Sequence, residues 1–330
     1  MTELRRTGAF PDLGLAGDLP LLKDRSLRSH RDSLLDSIAC GQVPLKFAYA
    51  GSGADAHRDY AATDDYIGVW FSAQREADTL IATDMCAHGL SGVVEVGPGD
   101  GLRSIALLDR LRKEGLSVAR YLGLDFSAEL LRHSSRAISE HFAPGLRVYR
   151  HVWDMEDAAP STLVERWRRG SRPVLACLLG HTLGNFEDPV QAMRNLAALL
   201  RPGDVLLASV MVRPAPQFGE ISNEPYRTEK FRRAALAPMI DAGISPGEME
   251  FTVEYRDNAF IGEVTLPYGT RLGDVVLPRG HRFRCFMSRR FDVNAILRLF
   301  EKTGWSVPTP IVDPGGDHMT VVASRIEEPR

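Results

Sequence analysis

Cysteine is scarce in this sequence and never paired. The four cysteines, Cys40, Cys86, Cys177 and Cys285, lie far apart. With no C-x-x-C spacing, neither a redox pair nor a cysteine zinc site is encoded. They are expected to be reduced thiols used for packing in a cytoplasmic protein. The nine histidines form no H-E-x-x-H or similar ligand pattern, and no metal is expected. Charge of one sign is missing too: the formal net charge is −3. That excludes the electrostatic footprint of a nucleic-acid or anionic-membrane binder. The basic run Arg166-Trp167-Arg168-Arg169 reads as a solvated face. No apolar run is long enough to cross a bilayer, and no signal-type apolar stretch follows Met1–Arg6.

What is present is ordinary globular composition over 330 residues, 44% hydrophobic and 25% charged, with ample core for one large or two moderate domains. From Val93 to Val212 strand and helix patterns alternate. Strands are expected at Val93–Val96, Arg120–Asp125, Arg147–His151, Pro173–Leu179 and Val205–Val212. Helices are expected at Leu102–Lys113, Ala128–Phe142, Ser161–Arg169 and Pro189–Leu200. Repeated βα units imply a mainly parallel sheet covered by helices. Before them, helices are expected at His30–Ala39 and around Ala73–His88, with a Gly/Ser turn at Gly51–Gly53 between. After Arg213 the rhythm breaks. A helix around Tyr226–Ala242 and strands near Met249–Tyr255, Phe260–Leu266 and Arg282–Phe291 suggest an inserted α+β part. A helix at Val293–Thr303 and strands near Ser306–Val312 and His318–Arg325 return to the main sheet.

The densest chemical signal is Val93-Val94-Glu95-Val96-Gly97-Pro98-Gly99-Asp100-Gly101. A strand ends in a glycine turn and a helix begins at once. Such a turn brings a ligand against bare backbone at a helix N-terminus. The dinucleotide fingerprint G-x-G-x-x-G would need glycine at 102, where Leu102 stands, which argues against a nicotinamide dehydrogenase. The spacing E-x-G-x-G-x-G resembles motif I of class I S-adenosylmethionine (SAM)-dependent methyltransferases. Glu95 and Asp100 are then candidates for the ligand's ammonium, beside Gly97, Gly99 and Gly101. Asp125, at the end of the second strand, is placed to accept ribose hydroxyls, because Ser127 is better placed to cap the next helix. Asp154 follows the third strand, where this fold often contacts adenine. Glu156 and Asp157 read as solvated acids. Open α/β sheets bind ligands outside the carboxyl ends of their strands. The segment Gly180-His181-Thr182-Leu183-Gly184-Asn185-Phe186 after the fourth strand is therefore a substrate edge, with Gly180 on the cofactor side.

That segment also carries a narrower resemblance. With Lys46-Phe47-Ala48-Tyr49 and the Glu95–Ser104 loop, it is similar to the histidine-specific methyltransferase family. Members trimethylate the α-amine of histidine, and fungal relatives methylate the amine of a prenylated tryptophan. The likeness runs from about residue 30 to the C-terminus. It implies a class I Rossmann-like α/β sheet, mostly parallel with an antiparallel last strand, and an inserted α+β substrate-binding subdomain. It further implies a division into an N-terminal segment and lid (1–72), a SAM-binding part (73–212), the insert (213–290) and a C-terminal return (291–330). Carried over residue by residue, Asn185 holds the acceptor's head group and Tyr49 closes over the reacting centre. Ser288 matches a pocket serine, and Tyr66 and Tyr226 are the tyrosines offered for the pocket. Two departures stand out. His181 replaces a serine, and Phe286 replaces the glutamate that pairs with imidazole. Phe286 and Ser288 share a face of the late strand. Losing the imidazole's partner costs roughly 1–3 kcal/mol, so an acceptor other than histidine is expected. The expectation is N-methylation of an amino acid or amino-acid-derived small molecule, in natural product biosynthesis. A carbon or oxygen acceptor on the same fold, and a SAM-binding protein without catalysis, are the alternatives.

Overall fold

The computed structural model describes residues 30–86, 89–157, 162–214, 224–307, 310–313 and 315–326, with the side chains of residues 64–71 outside that description. Five strands follow one another with helices between: β1 (Gly92–Val96), β2 (Arg120–Asp125), β3 (Arg147–Val152), β4 (Val174–Leu178) and β5 (Val205–Met211). The chain closes with β11 (Trp305–Ser306), β12 (Ile311–Val312) and β13 (His318–Arg325). The sheet order is β11-β13-β5-β4-β1-β2-β3. Pairs among β1 to β5 are parallel, and β13 runs antiparallel against β5. This is the open α/β sheet of class I methyltransferases, with the antiparallel last strand that the resemblance implied.

Helices α4 (Leu102–Lys113), α5 (Ala128–Phe142), α6 (Leu163–Trp167), α7 (Pro189–Ala198) and α9 (Val293–Lys302) accompany the sheet, with α3 (Asp64–Ala82) beside α4. Two separate apolar clusters cover the sheet. One joins Val94, Leu122, Trp167, Leu178 and Trp305; the other joins Val93, Leu107, Tyr121, Leu175 and Leu207. Residues alternating along β1 thus feed opposite faces, which is why the strand reads as an unbroken apolar run. Chain order reverses at β1, with β2 on one side and β4 on the other. That switch point fixes where a ligand can sit.

The second layer holds β6 (Glu250–Arg256), β7 (Ala259–Thr265) and β10 (Arg282–Arg289) as an antiparallel sheet, ordered β10-β7-β6. The short pair β8 (Thr270–Leu272) and β9 (Val275–Leu277), joined through Gly273, was not anticipated. Helix α8 (Glu229–Ala242) packs here with α1 (His30–Ala39), α2 (Ser52–Ala61) and a 3-10 turn at Leu45–Tyr49.

Three readings of the sequence need correction. The expected turn at Gly51–Gly53 is the start of α2, and the next helix begins at Asp64 and ends at Ala82. Helix α2 is poor in large apolar residues, so its pattern is weak. It is held because its Ala56 and Tyr60 pack on Phe231, Ala234 and Ala235 of α8. Arg168 is no solvated charge: it is 6% exposed and donates from both Nη atoms to buried Asp204. Of the cysteines, Cys86, Cys177 and Cys285 are buried, but Cys40 is exposed, just past the end of α1.

Candidate active site

Two cavities meet beside the carboxyl ends of β1 and β4. The first, about 1260 Å³ of empty space, runs along the glycine turn. Of the residues the sequence offers for the cofactor, Glu95, Gly97, Gly99, Asp100, Asp125, Asp154 and Gly180 line it. Gly97 and Gly99 have φ of +71° and +58°, a left-handed backbone that strains other residues. At Gly99 a Cβ would meet nothing within 4 Å, so the turn leaves open space against its backbone. Gly101 does not line the cavity. It caps α4, and a Cβ there would lie 2.9 Å from Ser134 Cα, so its bareness serves packing between α4 and α5.

The carboxylates around this turn differ in their surroundings. Glu95 lies beneath it, 2% exposed, and accepts from Tyr121 Oη at 2.8 Å. Burial pushes its carboxyl up, against the pull of the Ser104 and Tyr121 hydroxyls. Asp100 accepts from Leu102 N at 3.0 Å, at the mouth of α4. Asp125 accepts from Ser127 N at 2.8 Å while Ser127 caps α5 through Leu130 N. Burial pushes the Asp125 carboxyl up to about 7, with the Ser127 and Phe126 N–H groups working in the other direction. Asp154 and Glu156 both pair with Lys46, at 2.5 and 3.5 Å. Burial opposes the lysine's charge, but the bond from Asp154 and the nearby acids prevail and its pKa is raised. Glu156 also accepts from Glu187 N, so it is a wall residue rather than the solvated acid expected. The apolar part of the wall is Phe126, Leu130, Trp153 and Met155.

Among the described residues, the acids Glu95, Asp100, Asp125, Asp154 and Glu156 share the cavity lining with two lysine or arginine side chains, Lys46 and Arg103. Lys46 is held by acids, and Arg103 donates to buried Glu76 at 2.7 Å and to Ser72. A pyrophosphate would meet this wall unfavourably, whereas a ligand carrying ammonium and sulfonium charge meets it well. The open turn at Gly99, the Asp125 carboxyl on the cavity wall and the apolar residues beside it also fit SAM.

The second cavity, about 1000 Å³, opens on the other side of Tyr49, His57, Gly180 and Asn185, which line both. Its walls include Tyr226, Phe231, Phe286, Ser288 and Arg290. Phe286 packs at 4.8 Å from the Phe231 ring and 5.2 Å from Tyr226. Gly180 and His181 are consecutive left-handed residues, φ +69° and +65°. A histidine there is unusual, and the turn it makes leads into the 3-10 segment Thr182–Asn185 that carries Asn185. Tyr49 is set by α2: a Cβ on Gly53 would lie 2.4 Å from Ala48 O, so only glycine lets the helix approach the turn bearing Tyr49. Tyr66 falls outside the residues whose side chains are described.

His57 escaped the sequence reading. It lies on α2, with its ring 4.8 Å from that of Tyr49, edge-on. Burial lowers its pKa to about 4, so it is neutral at pH 7. His181 is likewise held well below the usual value, by burial first and then by His318, Arg103 and Arg290. The signal of His57 was hidden because a lone histidine in a helix that was itself missed gives no pattern.

Comparison with known proteins finds methyltransferases. One relative, the histidine N-alpha-methyltransferase of Mycolicibacterium smegmatis (strain ATCC 700084 / mc(2)155), is 29% identical over 167 residues. The match covers 50% of this chain and 49% of that protein, so the shared stretch spans about half the length of the relative. Among solved structures, a SAM-dependent methyltransferase from Clostridium acetobutylicum ATCC 824 is 11% identical with a TM-score of 0.45, over 76% of this chain and 91% of the other. Magnesium protoporphyrin IX methyltransferase from Synechocystis PCC 6803, with bound SAH, is 14% identical with a TM-score of 0.45, over 85% and 97%. At those scores the two add nothing to the topology of the strands themselves. The family profile described as histidine-specific, SAM-dependent methyltransferase matches residues 32–218, more than half of the chain. The protein belongs to the family of histidine-specific, SAM-dependent methyltransferases.

Proposed function

We propose that this chain methylates the amine nitrogen of an amino acid, or of an amino-acid-derived small molecule, whose side chain is apolar or aromatic rather than imidazole. The observation that carries this reading is the meeting of the two cavities at Tyr49, His57, Gly180 and Asn185. An acidic, glycine-lined cavity suits the donor and an aromatic one suits the acceptor. SAM, when bound, supplies an electrophilic methyl group on a sulfonium. The chain's own task is then chiefly orientation and water exclusion.

In this reading Asp125 takes the ribose hydroxyls. Asp154 and the Phe126–Trp153–Met155 wall take the base. The glycine turn, with Asp100, takes the amino-acid end. On the acceptor side, Asn185 holds the head group and Tyr49 covers the reacting centre. An ammonium has no lone pair, so the acceptor must shed a proton. His57, with a pKa near 4, does not store that proton at neutral pH, and water takes it. A neutral ring at the junction adds no positive charge to a site that gathers cationic groups. Phe286, packed against Tyr226 and Phe231, offers an imidazole no hydrogen-bond partner. The same pocket suits a natural product precursor with a hydrocarbon side chain, consistent with a tailoring role.

Paired variants test the division of labour. Asp125→Ala is expected to weaken S-adenosylhomocysteine (SAH) binding by tenfold or more in calorimetry. Asn185→Ala is expected to leave that affinity within about twofold and to impair methyl transfer instead. Unchanged SAH affinity in Asp125→Ala would remove the ribose assignment.

A further inference from the structure

Three arginines are less than a tenth exposed among the described residues, Arg120, Arg168 and Arg290. Arg168 meets Asp204, and the half-buried Arg103 and Arg284 meet Glu76 and Glu187. Arg290 is different. It is 6% exposed and lines the acceptor cavity. Among the described residues no carboxylate lies within 4 Å of its guanidinium, and its partners are neutral. Nη1 donates to Ser288 Oγ at 2.8 Å, and Nη2 donates to Tyr226 Oη at 2.8 Å. Carbonyls of Ser288 and Arg289 lie at 3.4 and 3.2 Å, and the Phe260 ring at 5.0 Å. Its Nε is buried with no acceptor. Arg120 shares the lack of an acid, but it is held between Tyr149 and Trp167 and lines neither cavity.

A charge withheld from water and from a counter-charge is costly, and sites keep one where a ligand completes the pair. Phe286, Ser288 and Arg290 are spaced by two, so an apolar wall, a hydroxyl and a cation follow one another along one side of the cavity. We infer that Arg290 is the anion-recognising residue of the acceptor cavity, and that the acceptor carries a carboxylate paired with it while an apolar or aromatic body lies against Phe286. This rests on the second cavity being the acceptor site. It makes Arg290 a specificity determinant, with Tyr226 and Ser288 fixing the guanidinium from two sides. Amines without an acid group, and esters or amides of amino acids, are then poor acceptors.

The competing role for Arg290 is purely structural, a brace between Tyr226 and Ser288. Binding of L-phenylalanine and L-tryptophan, each beside its primary amide, separates the two roles. Titrations of the full chain by ligand-observed nuclear magnetic resonance, with and without SAH, give the acid-over-amide ratio. The wild type is expected to favour the acids by about tenfold or more. Arg290→Gln is expected to abolish the preference, and Arg290→Lys to keep part of it. SAH affinity, read separately, is expected to stay unchanged in both variants. Equal binding of acid and amide to the wild type, or binding of neither, would overturn the inference. So would an Arg290→Gln variant that weakens both ligands alike, which is the brace's signature. Failure of the wild type to bind SAH would count against the methyl-transfer reading instead, because Arg290 does not line that cavity.

Discussion

Asp125 holds its proton too tightly for an ordinary carboxylate, and burial is the cause: its pKa rises from 3.8 to about 7. The sign of the consequence follows from linkage. Between about pH 4 and pH 7 the folded chain binds the proton that the unfolded chain has released. The group's contribution therefore falls as pH rises through that window. Ribose hydroxyls are donors and need the ionised form. SAH affinity is accordingly expected to drop by about tenfold from pH 8 to pH 6, as the ionised fraction falls across a pKa near 7. Calorimetry of the wild type and of Asp125→Asn across that range checks it, and the variant should lose most of the slope. An equal slope in both would assign the titration to another group, Glu95 being the nearest in kind. That Asp125 faces the cavity was legible from its place at a strand end followed by a better cap. Its proton affinity was not, because burial depends on what α5 and the Trp153 segment bring over it.

At the scale of elements, the ends of β4 and β5 are tied by one carboxylate. Asp204 accepts from both Nη atoms of Arg168, from Val174 N at 2.9 Å and from Arg201 N at 3.0 Å. Removing it strands a buried guanidinium and a strand N–H together. Asp204→Ala is expected to destabilise the fold by about 3–5 kcal/mol, the usual range for a broken buried pair. Urea denaturation followed by circular dichroism measures it, and a loss below about 1 kcal/mol, the surface-pair range, would mean that water replaces the carboxylate. The residues Arg201-Pro202-Gly203-Asp204 have turn chemistry, but nothing local says that the acid faces inward. The same limit explains α2. Its helix is specified by partners on α8 some 170 to 180 positions along the chain, as Arg233 to Asp59 illustrates at a separation of 174. The βα units needed no such partner. Their buried strands read as apolar runs, and their helices carried their own caps, as Ser127, Asp188 and Asp292 do.

At the scale of the molecule, the sheet brings the glycine turn and the Gly180–Asn185 turn to one edge, at the reversal of strand order. The antiparallel layer then sets an aromatic cavity against them. The first half of that arrangement was readable from residue order, because strand ends carry it. The second half was readable only through likeness to a family, and two residues of its walls, His57 and Arg290, surfaced only once the cavities were formed. The comparisons reach the family and the donor; the acceptor is left to the chain's own pocket. The proposed reading, drawn from the Phe286 wall and the shared junction, puts a nitrogen at the junction and a hydrocarbon body behind. Incubation with methyl-labelled SAM over the amino acids and aromatic amines, with product mass and fragmentation, tests this directly. The account predicts label on the amine nitrogen of an acceptor with an apolar or aromatic side chain, turned over at least tenfold better than histidine. Histidine as the best acceptor, or label on carbon or oxygen, would contradict it.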